Sequence, residues 1–360
     1  MQRAEGGAGR FPRAKMGVVM KKAICASVLA VGLSAPAAFA ADLTVPVKAA
    51  PAAAPAATPL WDLAFGSALM TDYEFRGITQ SAHKPSVAAY YELRYNPSST
   101  WQFYYGNAGE SIDFPNHAAA EIDFYGGVRP TFDKLAFDFG VWYYYYPGGI
   151  NFNGLGLTAP DGTNASCANG FVVLGPTAFS LGTPVCQVSK SNLSMWEVYG
   201  KATYNFSDAL AVTADVYYSP SWLNSGAPGL FASGIVKWTA PSAWFPKDWG
   251  AYFQGEVGHY WIGTTDAFYA VPLFPTGINY PDYTTWNLGV AITWKVFTLD
   301  LRYWDTDLSK GDCAVVTSAH TASPGGAFSA INPGGFTSNW CGSTFVAKLS
   351  ADLTVNTNLK

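Results

Sequence analysis

The stretch T-D-Y-E-F-R-G-I-T-Q-S-A-H-K-P-S-V-A-A-Y-Y-E-L-R-Y, residues 71–95, contains the pattern on which our fold prediction rests. In its second half, apolar side chains occupy every other position, namely Val87, Ala89, Tyr91, Leu93 and Tyr95. The positions between them carry the charged residues Glu92 and Arg94. A period of two is typical of a β-strand with one apolar and one polar face. The first half continues the pattern, with charged residues at alternate positions Asp72, Glu74 and Arg76.

The composition favours a membrane protein that crosses the bilayer with strands. Of the 360 residues, 16% are aromatic and only 13% are charged, whereas soluble domains carry about 25% charged residues. Beyond the N-terminal segment, the sequence has no run of roughly 18 apolar residues, the length of a spanning helix. This combination is typical of a transmembrane β-barrel, and a soluble β-sandwich, which also alternates, is the alternative. The net charge of −4 argues against a nucleic-acid partner.

The N-terminal segment divides into an export signal and a linker. Residues 1–40 are predicted to be a signal peptide, with M-K-K at 20–22, an apolar core at 23–33 and the cleavage motif A-F-A at 38–40. A start at Met16 or Met20 is favoured over Met1, and an uncleaved signal anchor is the alternative. Residues 41–59 are rich in Ala and Pro and are predicted to be a periplasmic spacer. The remaining residues, 60–360, are predicted to form the barrel.

Alternation predicts an all-β fold, an antiparallel up-and-down barrel of about twelve strands. The predicted strands cover residues 61–76, 86–96, 100–106, 119–129, 135–146, 194–206, 210–219, 230–239, 249–261, 283–294, 297–306 and 344–354. Most of them reach the 9–11 residues that a tilted membrane strand needs. Short connections alternate with long ones, as in bacterial barrels with periplasmic turns and long external loops. An even strand number places both termini in the periplasm, as the export signal requires.

Aromatic residues at the strand ends predict two girdles at the membrane interfaces. The predicted periplasmic girdle contains Tyr95, Trp101, Tyr204, Phe206, Trp238, Trp249 and Trp294. The predicted outer girdle contains Tyr73, Phe75, Tyr143, Tyr145, Tyr218, Trp261 and Trp286. Indole and phenol groups prefer this level, where the apolar ring contacts lipid and the polar tip contacts headgroups.

The opposite parity assigns sixteen charged side chains to the lumen as pore-lining residues. They are Asp72, Glu74, Arg76, Glu92, Arg94, Glu121, Asp123, Arg129, Asp138, Glu197, Lys201, Asp215, Lys237, Glu256, Asp300 and Arg302. Because acids outnumber bases, an open lumen would prefer cations weakly. Eight-stranded barrels are filled by side chains and wide channels need about 16 strands. A twelve-stranded lumen that its own salt bridges plug is therefore the alternative.

Four cysteines follow the predicted signal peptide: Cys167, Cys186, Cys313 and Cys341. They fall in two predicted external loops and allow three pairings. Pairing within each loop, Cys167–Cys186 and Cys313–Cys341, is the simplest. Disulfides suit an oxidising compartment. A metal site is the alternative, but no C-x-x-C spacing or histidine pair accompanies these cysteines, so we expect no metal and no other cofactor.

Sequence motifs of enzymes are absent. The chain has no G-x-S-x-G, no P-loop and no H-E-x-x-H. His259 is the only histidine in a predicted strand, and alternation places it on the outward face without a serine two residues away. The other histidines, His83, His117 and His320, fall in predicted loops. We therefore expect no catalytic activity.

The opening stretch also resembles the TorF family of porins from bacterial outer membranes. The resemblance rests on T-D-Y-E-F-R-G-I-T-Q at 71–80, K-P-S-V at 84–87, E-I-D-F-Y-G-G at 121–127 and Y-Y-Y-Y-P-G at 143–148, with a late cysteine pair before the final strand. It covers most of the mature chain and implies a barrel in the outer membrane of a Gram-negative bacterium. The chain departs from the family at its end, N-L-K at 358–360, where the family ends on an aromatic residue.

Two functions follow from this reading. The first is a porin-like channel for passive diffusion of small solutes or ions, with a weak preference for cations. The alternative is a non-conducting structural or surface-binding barrel. The expected partners are outer-membrane lipid, lipopolysaccharide and small solutes or ions, and a monomer is favoured over an oligomer.

Overall fold

The computed structural model describes residues 59–154, 171–174, 177–180, 187–271 and 273–359. For residues 153–154, 171–174 and 177–180 the description covers the backbone alone. The predicted signal peptide, nearly all of the predicted spacer and the predicted Cys167–Cys186 pair lie outside the described residues.

Twelve antiparallel strands form a closed barrel in the described part of the chain. In chain order they are β1 Trp61–Met70, β2 Ser86–Tyr95, β3 Trp101–Glu110, β4 Glu121–Phe132, β5 Leu135–Tyr145, β6 Met195–Asn205, β7 Leu210–Ser219, β8 Gly229–Thr239, β9 Trp249–Ile262, β10 Tyr283–Trp294, β11 Phe297–Thr306 and β12 Thr344–Thr354. Each strand pairs with its neighbours along the chain, and β1 also pairs with β12. Closure leaves no unpaired sheet edge. The predicted fold, a twelve-stranded up-and-down barrel, is confirmed.

Three predicted strands differ from the structure by more than two residues at one end, and the fourth of the twelve continues to Phe132 instead of ending at Arg129. The first was expected to continue to Arg76 but ends at Met70. The third was expected to end at Gly106 but continues to Glu110. Its second half, G-N-A-G-E, lacks the β-branched and aromatic residues that favour strands, so its pattern is weak.

The connections are sorted by length between the two ends of the barrel. The turns at one end cover residues 96–100, 133–134, 206–209, 240–248 and 295–296. The loops at the other end cover residues 71–85, 111–120, 146–194, 220–228, 263–282 and 307–343. We call these the turn end and the loop end. The described chain starts and finishes at the turn end because the number of strands is even.

The outer face of the barrel is apolar and the inner face is polar, the reverse of a soluble protein. In β2, Val87, Ala89, Tyr91 and Leu93 are exposed, while the residues between them are buried. At the turn end, Trp101, Tyr204, Trp249 and Trp294 are 40–46% exposed. At the loop end, Tyr143, Tyr145, Tyr218 and Trp261 are 40–45% exposed. An apolar band between two aromatic rows is typical of a barrel in lipid.

The loops carry the remaining elements. Helix α1, Lys310–Thr317, begins at Ser309, whose hydroxyl accepts a hydrogen bond from the Asp312 amide, and helix α2, Val355–Asn358, follows β12. Single 3-10 turns occur at Trp222–Asn224, Ser242–Trp244 and Ala267–Tyr269. Short strand pairs join Glu74–Phe75 to Ile78–Thr79, Phe152–Gly154 to Gln187–Ser189, Phe171–Leu174 to Thr177–Ser180, and Ser323–Pro324 to Phe336–Thr337. Among the described residues, the helices are all too short or too polar to cross a membrane.

Candidate functional site

The first loop folds into the barrel instead of extending β1. Glu74–Phe75 pairs with Ile78–Thr79, and the two residues between them, Arg76 and Gly77, both have positive φ, 50° and 77°. Two successive positive φ values are typical of a type I′ hairpin turn. We call residues 74–79 the plug hairpin. The prediction that Asp72, Glu74 and Arg76 lie on the first wall strand is wrong, because the chain leaves the wall after Met70 and reverses at Arg76-Gly77.

Arg76 anchors the plug hairpin to the wall at β6. Its Nη1 and Nη2 each donate to the carboxylate of Glu197 over 2.8 Å. The rings of Tyr217, Phe231 and Tyr260 surround the guanidinium, with centroids 4.6 to 4.9 Å from Cζ. Arg76 is 7% exposed and Glu197 is fully buried. A planar guanidinium suits both the two-pronged pairing and the aromatic contacts.

Gly77 brings the hairpin tip against two other strands. A Cβ atom at Gly77 would lie 2.4 Å from Oγ1 of Thr285 on β10 and 2.5 Å from Cγ2 of Thr306 on β11. The tip therefore contacts β10 and β11 closely while Arg76 reaches β6. The plug hairpin thus lies across the lumen.

A first polar network joins the walls on the turn-end side of the hairpin. Arg129 donates to both carboxylate oxygens of Glu92, over 2.8 and 2.9 Å, and to Asp138 over 3.0 Å. Arg94 donates to Glu92 over 2.6 Å. Cζ of Arg129 lies 3.6 Å from the ring centroid of Tyr104, whose hydroxyl donates to Asp138.

A second network lies on the opposite side of the lumen. Arg302 donates to both oxygens of Asp300, over 3.1 and 2.8 Å, and to Asn287 over 2.6 Å. Asn287 donates in turn to Glu256 over 2.8 Å. The strand register also places Lys201 opposite Asp138 on one neighbour and Asp215 on the other. The structure thus brings together acids and bases that the sequence could assign only to a face.

Side chains fill the middle of the lumen. Glu92, Glu197 and Asp215 are at most 2% exposed, and Lys201 and Arg302 are 5% exposed. Large aromatic residues share this inner face and are also buried: Tyr90, Tyr104, Tyr125, Trp142, Tyr144, Tyr199, Tyr217 and Tyr260. Arg94, Arg129, Asp138 and Lys237 are partly exposed. Ion pairs buried this far from solvent are typical of a filled barrel rather than of a water-lined wall.

Three carboxylates converge where β3 and β4 meet the loop end. Glu110 ends β3 and pairs directly with Glu121, which begins β4, while Asp123 lies two residues further along β4. One oxygen from each of the three lies within 4.8 Å of the other two. Sequence reasoning missed Glu110 because the predicted strand stopped at Gly106. Extending the alternation by four residues would have placed Glu110 on the polar face.

Two tyrosine hydroxyls orient the middle carboxylate. Tyr73 donates to Oε1 of Glu121 over 2.7 Å, and Tyr146 donates to Oε2 over 2.8 Å. Tyr73 is 3% exposed, and Phe75 packs near Tyr144 with ring centroids 6.1 Å apart. The prediction that Tyr73 and Phe75 belong to the outer girdle is therefore wrong. Both precede the hairpin turn and enter the barrel with it.

The long loops enclose a cleft above the plug hairpin. The centres of water-sized spheres can occupy about 40 Å³ of it, and the whole concavity with its open solvent measures about 670 Å³. Phe75 and Ile78 of the hairpin contribute to its lining. The other lining residues come from several loops and from the start of β10, and they include the aromatic residues Phe114, Tyr146, Trp222, Tyr269, Tyr280, Tyr283 and Trp340. The hairpin therefore separates this cleft from the lumen.

Two links hold the last loop in place. Cys313 and Cys341 form a disulfide, the pairing predicted for this loop. Nδ1 of His83 lies 2.6 Å from Oδ2 of Asp72, and Nε2 lies 3.1 Å from the carbonyl oxygen of Asn339. An imidazolium can donate to both acceptors. The hydrogen bond to Asp72 raises the pKa of His83, although burial acts in the opposite direction.

Residues 53–171 match a sequence family described as a bacterial protein of unknown function (Gcw_chp). The matched segment is less than half of the chain and includes β1 to β5 and the plug hairpin. Its description names neither an activity nor the TorF family, so the TorF resemblance stays an expectation. No curated protein matches the chain.

Several solved structures superpose weakly on the chain. The NanC porin is 8% identical with a TM-score of 0.35, over 81% of this chain and 100% of its own. LpxR from Salmonella typhimurium is 6% identical with a TM-score of 0.35, over 80% and 99%. The P. putida toluene transporter TodX is 11% identical with a TM-score of 0.33, over 83% and 90%. At these scores the likeness carries no argument about function.

Proposed function

We propose that this chain is a surface-binding barrel of the bacterial outer membrane, closed by its own plug hairpin, that holds a small molecule in the loop-end cleft. The position of the hairpin carries the proposal: Phe75 and Ile78 line the cleft, while Arg76 is tied to Glu197 across the lumen. The apolar band with its aromatic rows supports the membrane location. The predicted export signal supports it as well. No catalytic step is part of this proposal.

The cleft lining indicates the class of ligand. Its rings lie edge-on or tilted to one another, as Trp222 does to Tyr280 and Phe114 to Tyr146, and such aromatic walls favour a flat, largely apolar molecule. Ser189 and Ser225 also line the cleft, and residues of this type can bind one or two polar groups on such a molecule. Pockets of this kind combine an apolar wall with a few polar groups that orient the ligand.

A small fluorinated phenol can test the cleft directly. The probe is 4-fluorophenol, observed by fluorine NMR with the purified full-length barrel in lipid nanodiscs. Trp222 is buried in the cleft lining, so we expect Trp222→Ala to weaken probe binding several-fold. The matched control is Trp244→Ala, because Trp244 is 68% exposed at the turn end. Equal binding by both variants and the unmodified protein would show that the cleft is not the site.

A diffusion channel is the second candidate function. A concavity of about 450 Å³, open solvent included, lies on the other side of the hairpin, and its lining includes Glu74, Glu110, Asp300, Arg302 and Lys348. If the hairpin leaves the lumen, this charged wall becomes accessible to solutes. Acids at the loop end would then raise the local concentration of cations and lower that of anions, most strongly at low salt.

Planar-bilayer recordings distinguish the two functions. For a closed barrel we expect the unmodified protein to give no stable conductance. Replacing the plug hairpin, residues 74–79, with a Gly-Ser linker is expected to open a conductance with weak cation preference. Adding Glu121→Gln and Asp123→Asn to that variant should reduce the preference. Equal conductance with and without the hairpin would refute the closed barrel and favour the free diffusion channel.

A further inference from the structure

The three acids at the loop end of β3 and β4 have the composition of a cation site. We propose that Glu110, Glu121 and Asp123 bind a divalent cation of the calcium type beside the base of the plug hairpin. The site is independent of the ligand that occupies the cleft and of whether the barrel conducts.

The spacing of the three carboxylates suits a single ion. One oxygen from each lies within 4.8 Å of the others. Oxygen ligands bind calcium at about 2.3–2.6 Å, so two of them on one ion lie up to about 4.6–5.2 Å apart. The three side chains can therefore reach a common ion with little rearrangement.

The hydrogen-bonding state of the cluster points to a ligand. Glu110 is 2% exposed and Asp123 is fully buried, and neither carboxylate oxygen of Glu110 accepts a hydrogen bond from the described residues. The indole of Trp142 donates to the Asp123 carboxylate, and the positive charge of Lys348 attracts Glu110. Buried carboxylates are normally paired or bound to a metal. When all three carboxylates are ionised, one lysine can offset only one of their negative charges.

The strand register increases the electrostatic repulsion within the cluster. Glu110 and Glu121 are direct cross-strand partners, and like charges in that position repel each other. Glu121 accepts hydrogen bonds from Tyr73 and Tyr146, which fix the position of its carboxylate between the other two acids. A divalent cation would turn this repulsion into attraction toward a common centre.

The ligand chemistry selects the class of cation. The three acids offer oxygen atoms alone, which suit hard ions rather than zinc or copper. Magnesium gives up its water reluctantly, whereas calcium accepts 6–8 oxygens in irregular geometry. A buried set of three carboxylates that can each bind through one or two oxygens therefore favours calcium.

Ion binding would act on the plug hairpin through one hydrogen bond. Tyr73 stands immediately before the hairpin and donates to Glu121. An ion that fixes Glu121 would hold this end of the hairpin in place. Loss of the ion is therefore expected to loosen residues 72–80.

Terbium luminescence tests the site with the full-length barrel in nanodiscs after treatment with EDTA. Terbium replaces calcium and emits when nearby tyrosine or tryptophan is excited, and Tyr73, Tyr146 and Trp142 surround the cluster. We expect a saturable signal with one ion per chain that calcium displaces at lower concentration than magnesium. Glu110→Gln with Asp123→Asn should remove at least nine-tenths of it, and Glu110→Gln alone should weaken binding at least tenfold.

The matched control is Glu256→Gln, which removes another buried lumen carboxylate on β9 and should leave the signal unchanged. Far-UV circular dichroism and heat-modifiable gel migration check that each variant is folded. A signal that persists in the folded double variant would overturn the proposal. So would a signal that disappears in Glu74→Gln but not in Glu110→Gln, since the ion would then lie at Asp72, Glu74 and His83. No terbium binding by the unmodified barrel would also overturn it.

Discussion

Arg76 and Glu197, 121 positions apart in the chain, form a two-pronged ion pair inside the barrel, with both Nη–Oε distances at 2.8 Å. Tyr144 donates a third hydrogen bond to the same carboxylate. Because both side chains are buried, removing one partner leaves the other charged and without its counter-ion. The stability of the plug hairpin therefore depends on this pair.

Replacing Arg76 alone should destabilise the barrel more than replacing both partners. We expect Arg76→Met to lower the free energy of unfolding by about 3–5 kcal/mol, because Glu197 would remain as an uncompensated buried charge. Arg76→Met with Glu197→Gln should lose less. Urea unfolding followed by tryptophan fluorescence gives both values. Arg94→Met is the matched control and should cost less, since Glu92 keeps its two hydrogen bonds from Arg129. A double variant as unstable as the single one would contradict this account.

A side chain at Gly77 should displace the hairpin tip. The added Cβ of Gly77→Ala would meet Thr285 and Thr306 at 2.4 and 2.5 Å, at a residue whose φ is +77°. We expect a loss of about 1–3 kcal/mol in stability from backbone strain, together with the appearance of conductance in planar bilayers. The control is Gly234→Ala on β8, where no atom lies within 4 Å of the new Cβ. Equal effects of the two substitutions would argue against a tightly seated tip.

The link through His83 should depend on pH. The hydrogen bond to Asp72 raises the pKa of His83. The stabilisation that His83 supplies is therefore complete below about pH 6.5, the pKa of an unfolded histidine, and is lost as pH rises through the folded pKa. Burial pushes the pKa of Asp72 upward, but hydrogen bonds from His83, Thr79 and Ser81 lower it overall. The stabilisation that Asp72 supplies is complete above about pH 3.9, the pKa of an unfolded aspartate, and is lost as pH falls through the folded pKa. The link should therefore be strongest between about pH 4 and pH 6.5.

Hydrogen exchange can follow this link. We expect protection factors of residues 336–342, corrected for intrinsic exchange, to fall between pH 6 and pH 9 in the unmodified protein. His83→Asn should show low protection at both values. His259→Gln, which changes a histidine on the barrel wall, should keep the pH dependence of the unmodified protein. A pH dependence that persists in His83→Asn would place its origin elsewhere.

The disulfide in the last loop should stabilise that loop without deciding the fold. Cys313 and Cys341 are 28 positions apart, and closing a loop of this length contributes about 3–4 kcal/mol in the chain-entropy description. We expect Cys313→Ser with Cys341→Ser to lower stability by up to this amount while the barrel still forms. Non-reducing peptide mapping should recover a Cys313–Cys341 peptide, and a Cys167–Cys186 peptide if the second predicted pairing is correct. A Cys167–Cys313 peptide would contradict both pairings.

The wall of the barrel could be predicted from the sequence because each wall strand repeats one local rule. Alternation in β2 separates Val87 and Leu93 from Glu92, and lipid on one side enforces that separation along the whole strand. The same rule gave β7, β10, β11 and β12 with their observed ends. The alternation of short and long connections then predicted at which end of the barrel each connection lies.

The plug hairpin could not be predicted in this way. Asp72, Glu74 and Arg76 alternate with Tyr73 and Phe75 just as wall residues do, since a hairpin inside the lumen has the same period of two. The turn at Arg76-Gly77 is one local signal. The pairing of Arg76 with Glu197 holds the hairpin in place. The two residues are too far apart in the sequence for a local pattern to predict this contact.

The carboxylate cluster shows the same division between sequence and tertiary structure. The sequence by itself placed Glu121 and Asp123 on the polar face of a strand. Only the closed barrel brings Glu110 opposite Glu121 and carries Tyr73 and Tyr146 to it from two different loops. Local periodicity determines which way a side chain points, because each apolar residue must face lipid and each polar residue must face the lumen. Which charges meet depends on strand register and loop path, which tertiary packing decides.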